Sequence, residues 1–224
     1  MEDNEIYILE TSVLYNLLSG KAGFGYPNWW SKKSFKIIKK IIRTRKTVIP
    51  LTVLTEIMGQ FFQQNIDLKN YDQWYRRRKA VFDQYLMDPL FNSGAMSLFY
   101  GSSQSGRIAM VLCQYPLTDN MVEQLSQHYK TSSKKDRRSP KLFDGMDAAI
   151  IGDAIGISLQ NPGKSCYFVS NDIWMKQGFS FAKKNSGYHR ELDNLSFLRI
   201  EKAATKVGIR WRADEKAKKS KIKK

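Results

Sequence analysis

The sequence predicts an α/β protein: a three-layer fold with a mostly parallel central sheet flanked by helices. Three observations predict it. Short apolar runs of strand length recur along the 224 residues. Segments with helical periodicity separate them, the alternation that builds parallel sheets. The runs are apolar throughout, as in strands covered on both faces.

The first run is "EIYIL" at 5–9, and 12–19 follows with helical spacing. Residues 33–45 form an amphipathic helix with Phe35, Ile38 and Ile42 on one face. "TVIP" at 47–50 is a second strand, and 52–64 a helix. The interval 65–106 breaks the alternation. It holds a helix-like "YDQWYRRRKAVFDQYL" and a Gly/Ser-rich loop, "GSSQSG" at 101–106, and reads as an insertion into one domain. "IAMVL" (108–112), "CYFV" (166–169) and "LSFLRI" (195–200) read as further strands. Helices are predicted at 119–130, 146–159 and 173–184. One domain is thus expected over 1–205, followed by a basic, disordered tail over 206–224.

Apolar residues make up 42% of the chain, too many for a disordered one. No apolar run approaches the roughly 18 residues that span a bilayer, so no membrane partner is expected. The opening "MEDNEIYIL" is acidic and lacks the basic stretch of a signal peptide, which predicts a cytoplasmic protein. Cys113, Cys166, His128 and His189 are the only cysteines and histidines, too few for a usual zinc site. The lack of a signal argues against a disulfide.

A net charge of +16 favours a polyanionic partner, nucleic acid before an acidic membrane surface. The basic residues are clustered. Eight lie between Lys32 and Lys46 with no acid among them. Lys32, Lys36, Lys39 and Arg43 form a stripe on the face away from Phe35, Ile38 and Ile42. A second cluster, "KKDRRSPK", contributes Lys134, Lys135, Arg137 and Arg138. The tail has six lysines in its last nine residues. Arg76, Arg77 and Arg78 stand beside Trp74 and Tyr75. They suit either a stacking platform for single-stranded RNA or an amphipathic helix packing its aromatics, and the second fits better.

Four acids fall where chemistry is done. Glu10 ends the first strand, Glu56 sits early in the helix after "VIPL", Asp147 opens the helix "DGMDAAIIGDAIG", and Asp172 follows "CYFVS". Sites in open parallel sheets form at the carboxyl ends of strands. Converging carboxylates repel unless cations neutralise them, and oxygen ligands without His or Cys suit Mg²⁺ or Mn²⁺. Asp144, one turn from Asp147, is an additional candidate; Asp153, six residues away, points elsewhere. Singly, each acid also fits a structural role: Asp147 or Asp172 at a helix start, Glu56 as a solvated helix residue.

This order of motifs resembles the PIN-domain nucleases, the fold of the toxin ribonucleases of bacterial toxin–antitoxin pairs. Glu10-Thr11-Ser12 matches their strand-ending triplet, with Glu where the family has Asp. Glu56, Asp147 in "FDGMDAAIIGDA" and Asp172 in "VSND" match the other three acids, and "VLCQYPLTDNMVEQL" resembles the segment before the third. The resemblance covers roughly 5–64 and 108–200. It implies a metal-dependent endoribonuclease, with Mg²⁺ or Mn²⁺ held by Glu10, Glu56, Asp147 and Asp172. Ser12 and Asn171 would orient water or phosphate. RNA is the implied substrate, and an antitoxin or other protein and a second copy of the chain are the implied partners. The alternative is a weakened or inactive PIN-like module that binds RNA or a protein. A nucleotide-binding domain fits less well, because no Gly-rich phosphate loop follows the first strand.

Overall fold

The computed structural model describes residues 4–19, 29–63, 66–114, 145–185 and 192–210. Five strands, β1 (Glu5–Leu9), β2 (Lys46–Pro50), β3 (Ser97–Phe99), β4 (Ser165–Val169) and β5 (Leu195–Leu198), form one sheet in the order β3-β2-β1-β4-β5. Every pairing is parallel. Ile6, Tyr7, Ile8 and Leu9 of the central strand are all fully buried. Successive side chains point to opposite faces, so both faces of β1 are covered. The architecture is the expected three-layer α/β one.

Among the described residues the helices are α1 (Thr11–Ser19), α2 (Trp29–Thr44), α3 (Leu51–Gln63), α4 (Tyr71–Phe82), α5 (Ser103–Gln114), α6 (Gly145–Leu159), α7 (Ile173–Asn185) and α8 (Ile200–Lys206). On α2, Ile37, Ile38, Ile41 and Ile42 are buried while Lys32, Lys36, Lys39 and Arg43 are exposed. The basic stripe therefore exists, and the apolar face beneath it is wider than Phe35, Ile38 and Ile42 alone. Among the described residues no helix is long and apolar enough to cross a membrane.

Two sequence expectations need correction. "IAMVL" lies inside α5, not in a strand. Five apolar residues fit either element, and two serines decide. Ser102 Oγ accepts the Ser105 N–H at 3.0 Å, and Ser105 Oγ accepts the Ser102 N–H at 2.7 Å, a reciprocal cap that starts a helix. The missing strand is β3, inside the interval read as an insertion, where it pairs with β2 at the sheet edge. Between them, α4 continues into a π-helical turn over Asp83–Asn92 containing Pro89. At the other end Val207 is buried and Ile209 packs on the core, so the folded chain passes residue 206. The predicted helix 119–130 and the tail from 211 lie outside the described residues.

Small residues let α5 lie along α6. A Cβ on Gly152 would meet the Ser105 carbonyl oxygen at 2.5 Å and the Ala109 nitrogen at 3.2 Å. One turn on, a Cβ on Gly156 would meet Ser105 Cβ at 3.0 Å. This close crossing sets the position of the α5 amino terminus.

Candidate functional site

The carboxyl edge of the sheet is where β1 and β4 hand over to helices. Glu10 follows β1 directly and is 4% exposed. Its carbonyl accepts the N–H groups of Val13 and Leu14, both at 3.1 Å, so it stands at the amino-terminal cap of α1. Its carboxylate turns back onto that same end and accepts the Ser12 N–H at 2.9 Å. Hydroxyls of Ser12 and Ser170 donate to the other oxygen, the latter at 2.9 Å. A buried carboxylate needs such donors, and a helix amino terminus favours negative charge.

The two serines also join the strands. Ser12 Oγ accepts the Asn171 N–H at 3.1 Å, and Ser170 Oγ accepts the Asp172 N–H at 3.0 Å. Thr11, 3% exposed, donates its hydroxyl to one Glu56 oxygen, and Gln60 donates to the other at 2.8 Å. The triplet 10–12 thus links Glu56 on α3, through Thr11, to Asn171 after β4, through Ser12, while Asp172 is reached through Ser170. Glu10 and Asp172 share the Ser170 hydroxyl, which donates to the Glu10 carboxylate and accepts the Asp172 backbone N–H, and Glu56 is tied to the same triplet through Thr11. Asp147 is half-buried in the first turn of α6, which packs against α3 and α7. Asp144 lies outside the described residues.

Burial pushes the Glu10 carboxyl up to about 7. Hydrogen bonds from Ser12 and Ser170 oppose the rise, and the charge of Asp172 adds to it. The ordinary value is 4.5. In chelator the folded protein therefore holds a proton that the unfolded chain has released between those values. Stability should fall as pH rises from about 4.5 to about 7, by up to roughly 3 kcal/mol, and level off above. Chemical denaturation across this range checks it. Glu10→Gln should flatten the slope; an unchanged slope would assign it to another group.

The donor chemistry fits a hard divalent cation. All candidate ligands are oxygens, and among the described residues both polar atoms of the Asn171 side chain, between Ser170 and Asp172, are buried without a hydrogen-bond partner. Among the described residues, however, no group of three or more Asp, Glu, His or Cys side chains is arranged to hold a metal. Mg²⁺ is commonly bound through one or two carboxylates, with water and substrate phosphate completing the shell. Glu10 and Asp172 are the two candidate acids whose charges act on each other, and Asn171 precedes Asp172 in sequence.

No protein-family model, curated protein or solved structure matches the chain.

Of the basic candidates, Lys32, Lys36, Lys39 and Arg43 are exposed on α2, and Arg76 and Arg77 on α4. Arg78 turns inward, donates to the Phe61 carbonyl and lies 4.6 Å from the Trp74 ring centre. Tyr71 stacks on Trp74 and on Tyr75, with ring centres 5.8 and 6.1 Å away. Tyr75 and Phe82 also pack on Phe62 of α3, while Tyr71 and Tyr75 keep exposed faces. Lys134, Lys135, Arg137 and Arg138 lie outside the described residues.

Sequence reading missed Ser170, whose link to Glu10 spans 160 residues. It also left Asp153 aside. That residue is 5% exposed and accepts the Thr52 hydroxyl at 2.7 Å. Burial raises its carboxyl above the usual range. An acid inside the apolar run "AAIIGDAIGI" was the available signal.

Proposed function

We propose that this chain is a PIN-type endoribonuclease that hydrolyses RNA phosphodiester bonds with Mg²⁺ or Mn²⁺. The observation that carries the reading is a hydrogen-bond network at the carboxyl edge of an all-parallel sheet, in which Thr11 holds Glu56 while Ser12 and Ser170 tie the Glu10 carboxylate to the backbone of Asn171 and Asp172. Glu10 and Asp172 would hold the cation, with Glu56 and Asp147 reaching it directly or through water. When bound, the cation supplies an activated water and neutralises charge on the phosphate. Ser12 and Ser170 fix the Glu10 carboxylate. Asn171 has buried amide atoms with which to orient a water or a phosphate oxygen. The fold, the net charge and the free Cys166 thiol suit a cytoplasmic enzyme acting on RNA, including the toxin of a toxin–antitoxin pair.

A second reading, an RNA-binding module that cleaves nothing, draws support from Glu10. Its carboxylate is buried, already hydrogen-bonded and caps α1. Incubating the protein with total RNA and Mg²⁺ or Mn²⁺, with and without EDTA, separates the two: EDTA-sensitive fragmentation supports the first, retention of intact RNA the second.

In both readings the α2 stripe holds the phosphate backbone. Neutralising Lys36, Lys39 and Arg43 should weaken RNA binding at low salt. Each lost phosphate contact should flatten the log–log salt dependence by roughly 0.7 to 0.9. An unchanged slope would show that α2 faces away from the RNA.

A further inference from the structure

Beside the acids lies a pocket of about 590 Å³ that the reaction described above does not use. Its walls come from α3, α5 and α6 and from the Gly/Ser loop that opens α5. We infer that this pocket takes a guanine base of the RNA substrate and that Asp153 reads its Watson–Crick edge. The inference rests on the reading of this rim as an RNA-cleaving site, and extends it to sequence preference.

Three features select the base. Among the described residues no basic side chain lines the pocket, and a buried carboxylate does, so a phosphate is disfavoured while N–H donors are favoured. Asp153 Oδ2 accepts the Thr52 hydroxyl. A carboxylate offers about four acceptor sites, so acceptors remain for a ligand. Guanine presents two adjacent donors, N1–H and N2–H₂, which match the two oxygens of a carboxylate. Cytosine and adenine offer one donor group beside an acceptor, and uracil one donor between two acceptors. The remaining walls include Leu51, Ala109, Met146 and Ala149, apolar surface suited to a base. Tyr100 is 73% exposed and also lines the pocket, where its ring can stack on the base.

The pocket also lies at a useful distance. Thr52 and Thr55 line it, and Glu56 is one turn from Thr52 on the same helix, roughly 6 Å along the axis. Met146 and Ala149 line it too, and Asp147 lies between them in sequence. A base held here belongs to a nucleotide adjoining the phosphate that the acids would contact.

The test is binding of labelled UUGU, UUAU, UUCU and UUUU to the full chain in EDTA at fixed salt, so that phosphate contacts cancel and no cleavage intervenes. UUGU should bind roughly tenfold tighter than the others. Asp153→Asn, which replaces one acceptor with a donor, should bring the four within about twofold. Tyr100→Ala, at an exposed position that leaves the core intact, should weaken UUGU roughly tenfold. Equal affinities in the wild type, or a preference that survives Asp153→Asn, would overturn the inference. Free guanosine binding as tightly as UUGU would overturn the placement of RNA in the pocket. A guanine preference without RNA cleavage would uphold the pocket and sink the nuclease reading. Cleavage without base preference would do the reverse.

Discussion

Glu10→Gln should lower metal-dependent RNA cleavage by roughly a hundredfold or more, and Glu10→Asp should lower it too. Loss of a residue that merely orients a metal ligand already costs about 10- to 100-fold; loss of a ligand's charge should cost at least as much. The effect of Asp is the more informative one. Glu is one methylene longer than the Asp that the resemblance expects, and a shorter acid would restore activity if the site were simply misfitted. The structure argues otherwise. Ser12 N–H, Ser12 Oγ and Ser170 Oγ all meet the carboxylate where the longer side chain puts it. An Asp would draw back from all three by about a bond length, more than the half ångström that catalytic geometry tolerates. Single-turnover cleavage rates for the two variants, with circular dichroism to confirm folding, check this. A faster Glu10→Asp enzyme would show that the present hydrogen bonds are a resting arrangement unrelated to catalysis.

Gly152→Ala should destabilise the fold by about 3 kcal/mol. The added Cβ would lie 2.5 Å from a carbonyl oxygen and 3.2 Å from an amide nitrogen of α5. These are backbone atoms of a packed helix and cannot step aside as a side-chain tip can. Overpacking of this kind costs about 1 to 3 kcal/mol, occasionally more. For a chain of this size that lowers Tm by roughly 6 to 12 °C. Gly59 in α3 is the control, because a Cβ there meets nothing within 4 Å. Gly59→Ala should stabilise by about 0.5 to 1 kcal/mol. Thermal melts of both variants decide. Equal Tm values would mean that α5 and α6 cross less closely than described. Because α5 brings the Gly/Ser loop to the pocket, Gly152→Ala should also weaken guanine preference.

The sheet was legible where strands are buried on both faces: "EIYIL" and "CYFV" are short apolar runs rich in β-branched and aromatic residues. It was not legible at its edge. Ser97–Phe99 is three residues long, partly exposed, and carries no pattern that separates it from a loop. "IAMVL" misled because an apolar run beside a helix of small residues looks like a buried strand. Its real identity lay in Ser102 and Ser105, three apart, and in Gly152 and Gly156, which belong to another element. The site divides in the same way. Glu10 announced itself as a charge at the end of a buried strand, and Ser12 beside it as a local donor. Ser170 and the Thr11–Glu56 contact depend on strand order, which no local pattern encodes. Six residues from Asp147, Asp153 was read as pointing elsewhere; it does, into a pocket built with Thr52 on another helix.

The central claim is that the acids at the carboxyl edge of the sheet cleave RNA with a divalent cation. It is tested most directly by single-turnover cleavage of an end-labelled RNA and of the same RNA with 2′-deoxy sugars, in Mn²⁺, by wild type and Asp172→Asn. Attack by water requires no 2′-hydroxyl. The account predicts that wild type cuts both substrates, that EDTA stops it, and that Asp172→Asn is slower by roughly a hundredfold with its fold and RNA affinity intact. Cleavage of RNA that persists in EDTA, needs the 2′-hydroxyl, or proceeds at the same rate in Asp172→Asn would contradict it.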